Sequence, residues 1–428
     1  MIKKFKAKVE KLIFGGQGFA HIDGKAAFIW NALPGEEVEF CATRVKRDFI
    51  EGVTETVIVP SPHRIEQVEE HFTSCSPWQV LEFSQENYWK QAIARETFEK
   101  LSAIKLNELP QIESNPNEQY GYRNKIEYSF TVNESGGVSF AFFGRASHRK
   151  RPIKNCLLAT ESINKSASIL LDWLNQQKAP LAILKTLILR SSRNGQVCAA
   201  LFVKHEFEFS NYPQLSNELC AFSIHLSNPL SPASVSDAVL YSSGNDLLKE
   251  NICGRQLNFS SDSFFQINPS LFEVALKDIE KFAGKTKDAV DYYSGVGAIG
   301  LLLSQYFQNI KLVDSCQSAI ENAKENIKLN NIKNCEAFAL PSEKIIELIT
   351  PDKTIIFDPP RSGLHPKVVE KTIEQKPQMI IYLSCNLSTQ ARDISLLKEF
   401  YDLKFIKLYN FFPRTPHFES LCVLDVKQ

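Results

Sequence analysis

Two residues late in the sequence carry side chains that could act together in covalent catalysis. Cys385 follows the apolar run Met379-Ile380-Ile381, which predicts a buried strand, so its thiol would lie at a strand end. Glu419 lies close to the C-terminus, in the segment 412–419. A thiolate can add to an electron-poor carbon, and a carboxylate can later remove a proton so that the thiolate leaves. The pair therefore predicts a reaction that passes through a covalent intermediate with the protein.

A glycine turn upstream of this pair predicts a nucleotide cofactor. The run Ala289–Tyr293 predicts a strand, and Ser294–Gly300 predicts a tight turn into a helix. Gly295 and Gly297 would let the backbone approach a ligand closely, and Asp314, at the end of the next predicted strand, could accept both ribose hydroxyls. Dehydrogenases share such turns, so the turn alone does not identify the cofactor.

The segment Asp358-Pro359-Pro360-Arg361 follows another apolar run, Ile355-Ile356-Phe357, and narrows the chemistry. It resembles the strand-end motif of S-adenosylmethionine enzymes that methylate nucleic acids or protein amides. Amino-group methyltransferases place an aromatic residue after the two prolines, and RNA cytosine methyltransferases place a cysteine there. This sequence has Arg361 at that position.

Length and composition limit the number of domains, the mode of RNA binding and the role of the cysteines. With 428 residues the sequence is long for one core and predicts two or three domains. Its 49 basic and 49 acidic residues give no net charge, so RNA binding would need local basic patches. The ten cysteines contain no CxxC pair, which argues against a disulfide framework or a zinc ribbon. Without an apolar run long enough to span a bilayer, we expect a cytoplasmic protein with reduced thiols.

Residues 1–62 predict a small β-barrel. Short alternating runs are separated by turn signals at Gly15–Gly18, Asp23-Gly24 and Pro34-Gly35. The order of these turns resembles a TRAM domain, an OB-like RNA-binding module. A generic SH3-like or OB-like barrel that binds no nucleic acid is the alternative.

Residues 63–250 predict a mixed α+β domain. A helix is predicted to begin at Ser84, which could cap it, and two hairpins are predicted to turn at Gly136-Gly137 and Asn194-Gly195. Between these turns lies the most basic stretch of the sequence, with no acidic residue among Arg145, His148, Arg149, Lys150, Arg151 and Lys154.

A second basic cluster contains both basic and aromatic residues. Arg123 and Lys125 lie beside Tyr120 and Tyr122. This mixture suits phosphate contacts and base stacking, so we expect the two basic clusters, with Arg123, Lys125, Arg145 and Arg149, to bind RNA. The alternative is a solvated edge hairpin, on which lysines are common.

Together these motifs resemble the RNA uracil-5 methyltransferase family, whose members modify uridines in 23S ribosomal RNA or in tRNA. The likeness runs nearly from end to end and is carried by Ser263–Asn268, Asp358–Leu364, Leu383–Asn386 and Phe412–Glu419. It implies an α/β protein with three parts. These are an N-terminal OB-like β-barrel (TRAM), a mixed α+β central RNA-binding domain, and a Rossmann-like class I methyltransferase domain at 251–428.

The resemblance also implies roles. Cys385 would be the nucleophile and Glu419 the base, and Phe264 would pack against the flipped target uracil. The expected cofactor is S-adenosylmethionine, and the residues expected to bind it are Gln266, Tyr293, Gly295, Gly297, Asp314 and Asp358. The reaction would be methylation of carbon 5 of uracil. That carbon is a poor nucleophile until a thiolate adds at carbon 6.

Alternatives stay open at this level. The enzyme could methylate another base position, or the chain could be a catalytically inactive RNA-binding or assembly protein with the same fold. Because family members with a TRAM domain are mostly ribosomal RNA enzymes, we expect 23S ribosomal RNA rather than the tRNA T-loop. We expect a monomer and no membrane partner.

The sequence departs from the family in two places. Many members bind a [4Fe–4S] cluster through four cysteines, of which only Cys75 and Cys156 are present here, with Trp78 at another of the positions. Two thiolates do not hold such a cluster, so we expect none. In the glycine turn, Ser294 and Ala298 replace a cysteine and an asparagine of relatives.

Overall fold

The computed structural model describes residues 3–145, 147 and 149–427, so His148 of the basic stretch lies outside the described residues. The strands are β1 (Lys4–Lys8), β2 (Lys11–Leu12), β3 (Gly18–Ile22), β4 (Lys25–Trp30), β5 (Glu37–Val45), β6 (Phe49–Val59), β7 (Gln111–Glu113), β8 (Lys125–Val132), β9 (Val138–Phe143), β10 (Lys150–Ile153), β11 (Leu184–Ser191), β12 (Val197–Val203), β13 (Leu219–Leu226), β14 (Ala238–Gly244), β15 (Leu247–Ile252), β16 (Arg255–Ser260), β17 (Asp288–Tyr292), β18 (Asn309–Asp314), β19 (Cys335–Ala339), β20 (Lys353–Phe357), β21 (Met379–Ser384), β22 (Tyr401–Tyr409) and β23 (Glu419–Val426). The α-helices are α1 (Phe72–Cys75), α2 (Phe83–Ser102), α3 (Glu161–Gln176), α4 (Pro269–Glu280), α5 (Ala298–Leu303), α6 (Gln317–Leu329), α7 (Pro366–Gln375) and α8 (Leu387–Leu397). Short 3-10 turns occupy Leu181–Ile183, Ser304–Tyr306, Ser342–Lys344 and Ile346–Leu348.

The chain forms two compact units. The first contains residues up to Trp89, Pro116–Asp246 and Phe412–Pro416, and the second contains Lys90–Asn115, Leu247–Phe411 and the residues from His417 onward. The predicted domain limit near residue 250 lies close to the change of unit at 246–247, whereas the limit near residue 62 falls inside the first unit. The division into three consecutive domains stays a prediction.

In the first unit, the N-terminal segment forms a six-stranded sheet in the order β1-β5-β6-β4-β3-β2. Alternate side chains of these strands point inward and form a core that includes Ala20, Ile29, Val38 and Phe40. Strand β1 also contacts β3, so the sheet curls around this core. The arrangement agrees with the barrel predicted from the alternating runs.

The remainder of the first unit is built on a seven-stranded sheet in the order β10-β9-β8-β11-β12-β13-β14. The antiparallel pairs β8–β9 and β11–β12 turn at the two predicted glycine positions, which confirms both hairpins. Helix α3 packs on this sheet, and Thr160 caps it by accepting a hydrogen bond from the amide of Ile163. Helix α2 begins at Phe83, so Ser84 lies inside the first turn instead of capping it; its hydroxyl donates to Glu82 instead.

The second unit contains an eight-stranded sheet in the order β19-β18-β17-β20-β21-β23-β22-β7. Strands β19, β18, β17, β20 and β21 run parallel, and β23 is antiparallel to both β21 and β22. Every residue of β21 is buried, as expected for a central strand of a mostly parallel sheet that is covered on both faces. The second unit therefore has the predicted Rossmann-like architecture.

A buried ion pair fixes the segment 412–416 within the first unit. The backbone amide of Arg414 donates to both carboxylate oxygens of Glu86, at 3.1 and 3.0 Å, and its guanidinium donates to the carbonyl of Leu81 at 2.7 Å. Both charged side chains are almost fully buried. The conformation of this segment therefore depends on contacts far away in sequence.

Among the described residues, no helix combines the length and the apolar character that a membrane span requires.

Candidate active site

The carboxyl ends of four parallel strands bring the predicted catalytic and cofactor residues to one edge of the sheet. Tyr293 follows β17, Asp314 ends β18, Asp358 follows β20 and Cys385 follows β21. Parallel strands present these ends on the same side, which is where open α/β sheets bind ligands. The parallel direction of the strands therefore brings the residues that follow each apolar run to the same place.

Glu419 reaches this edge because β23 runs in the opposite direction. It is the first residue of β23, and the last paired residues of β21 and β23 are Ser384 and Ser420. Cys385 and Glu419 each lie one residue beyond this pair. Residues facing each other across antiparallel strands have Cα atoms about 4.5–5.5 Å apart. The predicted nucleophile and the predicted base are therefore neighbours.

The Glu419 carboxyl group is almost fully buried. The residue is 3% exposed, and its Oε2 has no hydrogen-bond partner among the described residues. Burial raises the pKa of Glu419 well above its ordinary value; the negative charge of Asp358 adds to this effect and the guanidinium of Arg361 opposes it. A carboxylate in such surroundings is a stronger base than one in water.

The Cys385 thiol is half-buried at the start of α8, whose first turn is capped by the side chain of Asn386. Burial raises the pKa of Cys385 to about 12; the charges of Glu419 and Asp358 act in the same direction, and Arg361 acts against them. The thiol form is therefore favoured at neutral pH before a substrate binds. The electrostatic coupling to Glu419 agrees with the register of the two strands.

Arg361 is the residue of this site that sequence reasoning did not assign. Its guanidinium acts on both Cys385 and Glu419. Its backbone carbonyl accepts hydrogen bonds from Asn386 Nδ2 at 2.8 Å and Thr389 Oγ1 at 3.3 Å. The signal was present in the sequence, since Arg361 stands after the two prolines where other methyltransferases carry the group that contacts their target.

Gln266 and Asp358 lie together at this edge of the sheet. The amide of Gln266 donates to Asp358 Oδ2 at 3.2 Å, and both residues line one cavity. Burial raises the pKa of Asp358 to about 7, although the Gln266 hydrogen bond opposes the shift. Asp358 is thus a buried acceptor whose charge changes near neutrality.

The glycine turn lies beside Asp314, as the sequence predicts. The amide of Gly295 donates to Asp314 Oδ2 at 2.9 Å, and the amide of Cys316 donates to Oδ1 at 2.8 Å. Gly295 and Gly297 have φ angles of +54° and +87°, which disfavour residues with a Cβ atom. The carboxylate is half-buried and its orientation is fixed by the backbone, so it is ready to accept ligand hydroxyls.

Phe264 and Phe265 have different environments. Phe265 is buried and stacks on Phe259 with ring centroids 4.4 Å apart, so it belongs to the core. Phe264 is 63% exposed and lines the same cavity as Gln266, Tyr293 and Asp358. An exposed aromatic ring at the rim of a cavity suits stacking on a base.

A larger cavity, about 750 Å³, shares Tyr293 with the smaller one and extends to Ser342, His365 and Arg392. Neither Cys385 nor Glu419 is among its described lining residues. Tyr293 lines both cavities, and its backbone φ is +62°, an unusual value for a tyrosine. Its hydroxyl accepts a hydrogen bond from Ser342 Oγ at 2.8 Å, which holds the ring in place.

The four cations predicted to contact RNA are all in the first unit, and they differ in availability. Arg149 is exposed, whereas Arg123 donates to the carbonyl of Lys125 at 2.9 Å and both are half-buried. Arg145 donates to the carbonyl of Thr73 at 2.9 Å and lies 4.6 Å from the centre of the Trp30 ring. Desolvation lowers the pKa of Arg145. Its role in RNA binding stays a prediction, since the guanidinium already has partners within the protein.

Known proteins share both the motifs and the fold. The family model described as tRNA (Uracil-5-)-methyltransferase matches residues 90–427, and the TRAM-domain model matches residues 3–54. An uncharacterized RNA methyltransferase of Aquifex aeolicus is 31% identical over 99% of this chain and 99% of its own length. Another, from Fusobacterium nucleatum, is 28% identical over 98% and 95%.

Among solved structures, Pyrococcus abyssi tRNA (uracil-54, C5)-methyltransferase in complex with S-adenosyl-L-homocysteine has a TM-score of 0.77 to this chain. The two sequences are 23% identical, and the match covers 98% of this chain and 100% of that one. This likeness confirms the predicted fold class.

The environment of Cys385 predicts an unusual pH dependence of its reactivity. With its pKa raised to about 12, the thiolate fraction should increase about tenfold for each pH unit between pH 8 and 11. Alkylation of Cys385 by iodoacetamide, followed by peptide mass spectrometry, should rise accordingly, with the exposed Cys316 in the same sample as the reference thiol. A rate that levels off near pH 9 would show that the thiol is not perturbed.

Proposed function

The chain belongs to the tRNA (uracil-5-)-methyltransferase family, whose members are S-adenosylmethionine-dependent RNA methyltransferases, and we propose that it methylates carbon 5 of a uridine in RNA. The observation that carries this proposal is the placement of the Cys385 thiol beside the buried Glu419 carboxyl group, at the edge that also holds Asp358. Methylation at this carbon needs a nucleophile and a base on the same ring, and these two groups supply them.

In the first step the Cys385 thiol loses its proton to water, and the resulting thiolate adds to carbon 6 of the uracil. The new carbon–sulfur bond pushes the ring electrons onto the oxygen at carbon 4, and carbon 5 becomes nucleophilic. Arg361 favours the charged form of Cys385, because its guanidinium lowers the pKa that burial raises. Phe264, exposed at the cavity rim, stacks on the flipped base.

The second half of the reaction depends on Glu419. Once carbon 5 carries the methyl group, the Glu419 carboxylate accepts the proton of that carbon. The electrons of the broken carbon–hydrogen bond restore the ring double bond, and the thiolate leaves carbon 6. The raised pKa of Glu419 makes its ionised form a stronger base toward a weakly acidic carbon, provided that the carboxyl group has lost its own proton before this step.

S-adenosylmethionine supplies the methyl group when it is bound. The residues at the edge fit it, since Asp314 offers a fixed carboxylate for the ribose and the glycine turn offers close backbone approach. Gln266 and Tyr293 line the adjoining cavity, so we assign them to its binding as well. Ser294 and Ala298, the two substitutions relative to the family, also line that cavity.

We propose 23S ribosomal RNA as the substrate, with the tRNA T-loop as the alternative. The TRAM domain and the exposed basic residues around Arg149 support an RNA substrate but carry no sequence information, because phosphate contacts position an RNA without specifying it. The fold shared with the Pyrococcus tRNA enzyme does not separate the two substrates.

Replacement of Cys385 tests whether methyl transfer can be lost while RNA binding is kept. Cys385→Ala should lower methyl transfer on the order of 10³-fold or more, because no covalent adduct forms, while RNA affinity stays within about twofold. Wild-type protein with RNA containing 5-fluorouridine should form a methyl-donor-dependent adduct that survives denaturing gels, since fluorine cannot leave as a proton. The control is Cys253→Ala, which replaces another half-buried thiol of the second unit. Methylation by wild type without any such adduct would rule out the covalent route.

Replacement of the base should stop the reaction at a later point. Glu419→Gln should transfer one methyl group and then stall, so a methylated protein–RNA complex accumulates on unmodified RNA. Denaturing gels with a radiolabelled methyl group measure this complex, and Glu374→Gln, an exposed carboxylate on α7, is the control. Prompt release of methylated RNA by Glu419→Gln would assign the base to another residue.

The substrate is best tested in cells. Mapping 5-methyluridine in total RNA with and without the gene should show one site lost from 23S ribosomal RNA. Loss of 5-methyluridine from tRNA alone would show that the substrate is tRNA, and the proposed reaction would be unchanged. If no site is lost, titration of purified protein with S-adenosylmethionine distinguishes an enzyme with another substrate from an inactive RNA-binding protein, which would not bind it.

A further inference from the structure

The place that holds an iron–sulfur cluster in many family members has a different set of side chains here. A [4Fe–4S] cluster takes four cysteine thiolates, whereas this chain offers Cys75 and Cys156. Trp78 occupies a third position; it is almost fully buried and donates to the carbonyl of Gly16 at 3.0 Å. The residues present therefore do not fit the cluster, since one ligand position is filled by an indole ring.

Two further donors, Glu69 and His71, lie beside these two cysteines. The ligand atoms of Glu69, His71, Cys75 and Cys156 all lie within 4.8 Å of one another. We propose that these four side chains bind a single divalent transition-metal ion, most favourably Zn²⁺, in the first unit. The site would be a new one with two thiolates, one imidazole and one carboxylate.

The spacing suits one ion. Zinc bonds of about 2.0–2.3 Å in a tetrahedral site put neighbouring ligand atoms about 3.3–3.8 Å apart. His71 Nε2 lies 3.4 Å from Glu69 Oε1, inside this range. The widest separation among the four, 4.8 Å at most, needs only a small inward shift of side chains to reach it.

Two polar atoms at this place make no regular hydrogen bond among the described residues, although His71 Nε2 faces the Glu69 carboxylate at 3.4 Å and the ring also interacts with Cys156. The other atom is the Tyr128 hydroxyl, whose side chain is fully buried and which interacts electrostatically with Cys156, Glu69 and Cys75. Buried polar groups without hydrogen bonds are costly and rare. An ion would use the imidazole nitrogen, and a metal-bound thiolate would accept the tyrosine hydroxyl.

The carboxylate is already held in place by its own partners. Gln79 Nε2 donates to Glu69 Oε2 at 2.9 Å, and the amide of Leu157 donates to Glu69 Oε1 at 2.7 Å. The His71 ring packs against Phe142 with centroids 5.7 Å apart. Such outer contacts orient metal ligands and are typical of real sites. Each carboxylate oxygen has a second lone pair, so these bonds leave Glu69 able to bind an ion.

The ligand types select the metal and its role. Thiolates and imidazole favour Zn²⁺ over Mg²⁺ and Ca²⁺, which prefer oxygen ligands. Four protein ligands would close the coordination sphere, as in structural zinc sites. The ion would tie α1, which contains Cys75, to the segment before α3, which contains Cys156. Its removal should therefore destabilise the first unit.

Metal content of the full-length protein tests this proposal. Protein purified without oxygen and without chelator should contain about one zinc per chain by mass spectrometry, and Cys75→Ser or Cys156→Ser should retain under about a tenth of it. Cys41→Ser, another half-buried thiol of the first unit, should keep the full content. After removal of the metal, Co²⁺ should give thiolate charge-transfer bands and the visible bands of a tetrahedral ion, both changed in His71→Ala.

Three results would overturn the proposal. About four irons per chain with acid-labile sulfide would mean a cluster. Wild-type protein that purifies metal-free and gives only the spectrum of hydrated Co²⁺ would mean no site. Full zinc content in Cys75→Ser and Cys156→Ser would place the ion elsewhere. If these variants do not fold, zinc stoichiometry and the cobalt spectrum of wild-type protein decide the question.

Discussion

The predicted catalytic site lies at one edge of the eight-stranded sheet, and it depends on the one antiparallel strand of that sheet. Strand β23 pairs with β21 on one side and β22 on the other, so its first residue comes to the edge where the parallel strands end. A parallel strand in that place would have brought its last residue there and sent Glu419 to the far side of the sheet. The direction of β23 therefore decides whether a thiol and a carboxyl group meet.

The position of Glu419 beside Cys385 and Asp358 brings three ionisable side chains together in a buried place. Cys385, Asp358 and Glu419 all have raised pKa values, and burial is the largest cause for each. Arg361 is the cation that opposes the shifts at Cys385 and Glu419. The site thus favours the neutral forms of these three groups before a substrate binds.

The sequence was sufficient for features that depend on local pattern. Apolar runs followed by Asp314, Asp358 or Cys385 predicted strand ends, and the structure has strands in all three places. Features that depend on distant partners were not predictable. Nothing near Arg145 in the sequence indicates that its guanidinium would lie on Trp30, and nothing in the sequence indicates that the imidazole of His71 would join the thiols of Cys75 and Cys156. Such contacts arise from packing of separate elements.

Tyr293 combines a strained backbone with a place in the lining of two cavities. Its left-handed backbone is one that glycine adopts freely and tyrosine adopts with strain, yet its ring forms a wall common to both cavities. A glycine there would relax the backbone and remove the wall. The ring also packs against the hydrophobic core of the second unit, and its hydroxyl accepts a hydrogen bond from Ser342 Oγ. A glycine would therefore lose these contacts as well as the wall.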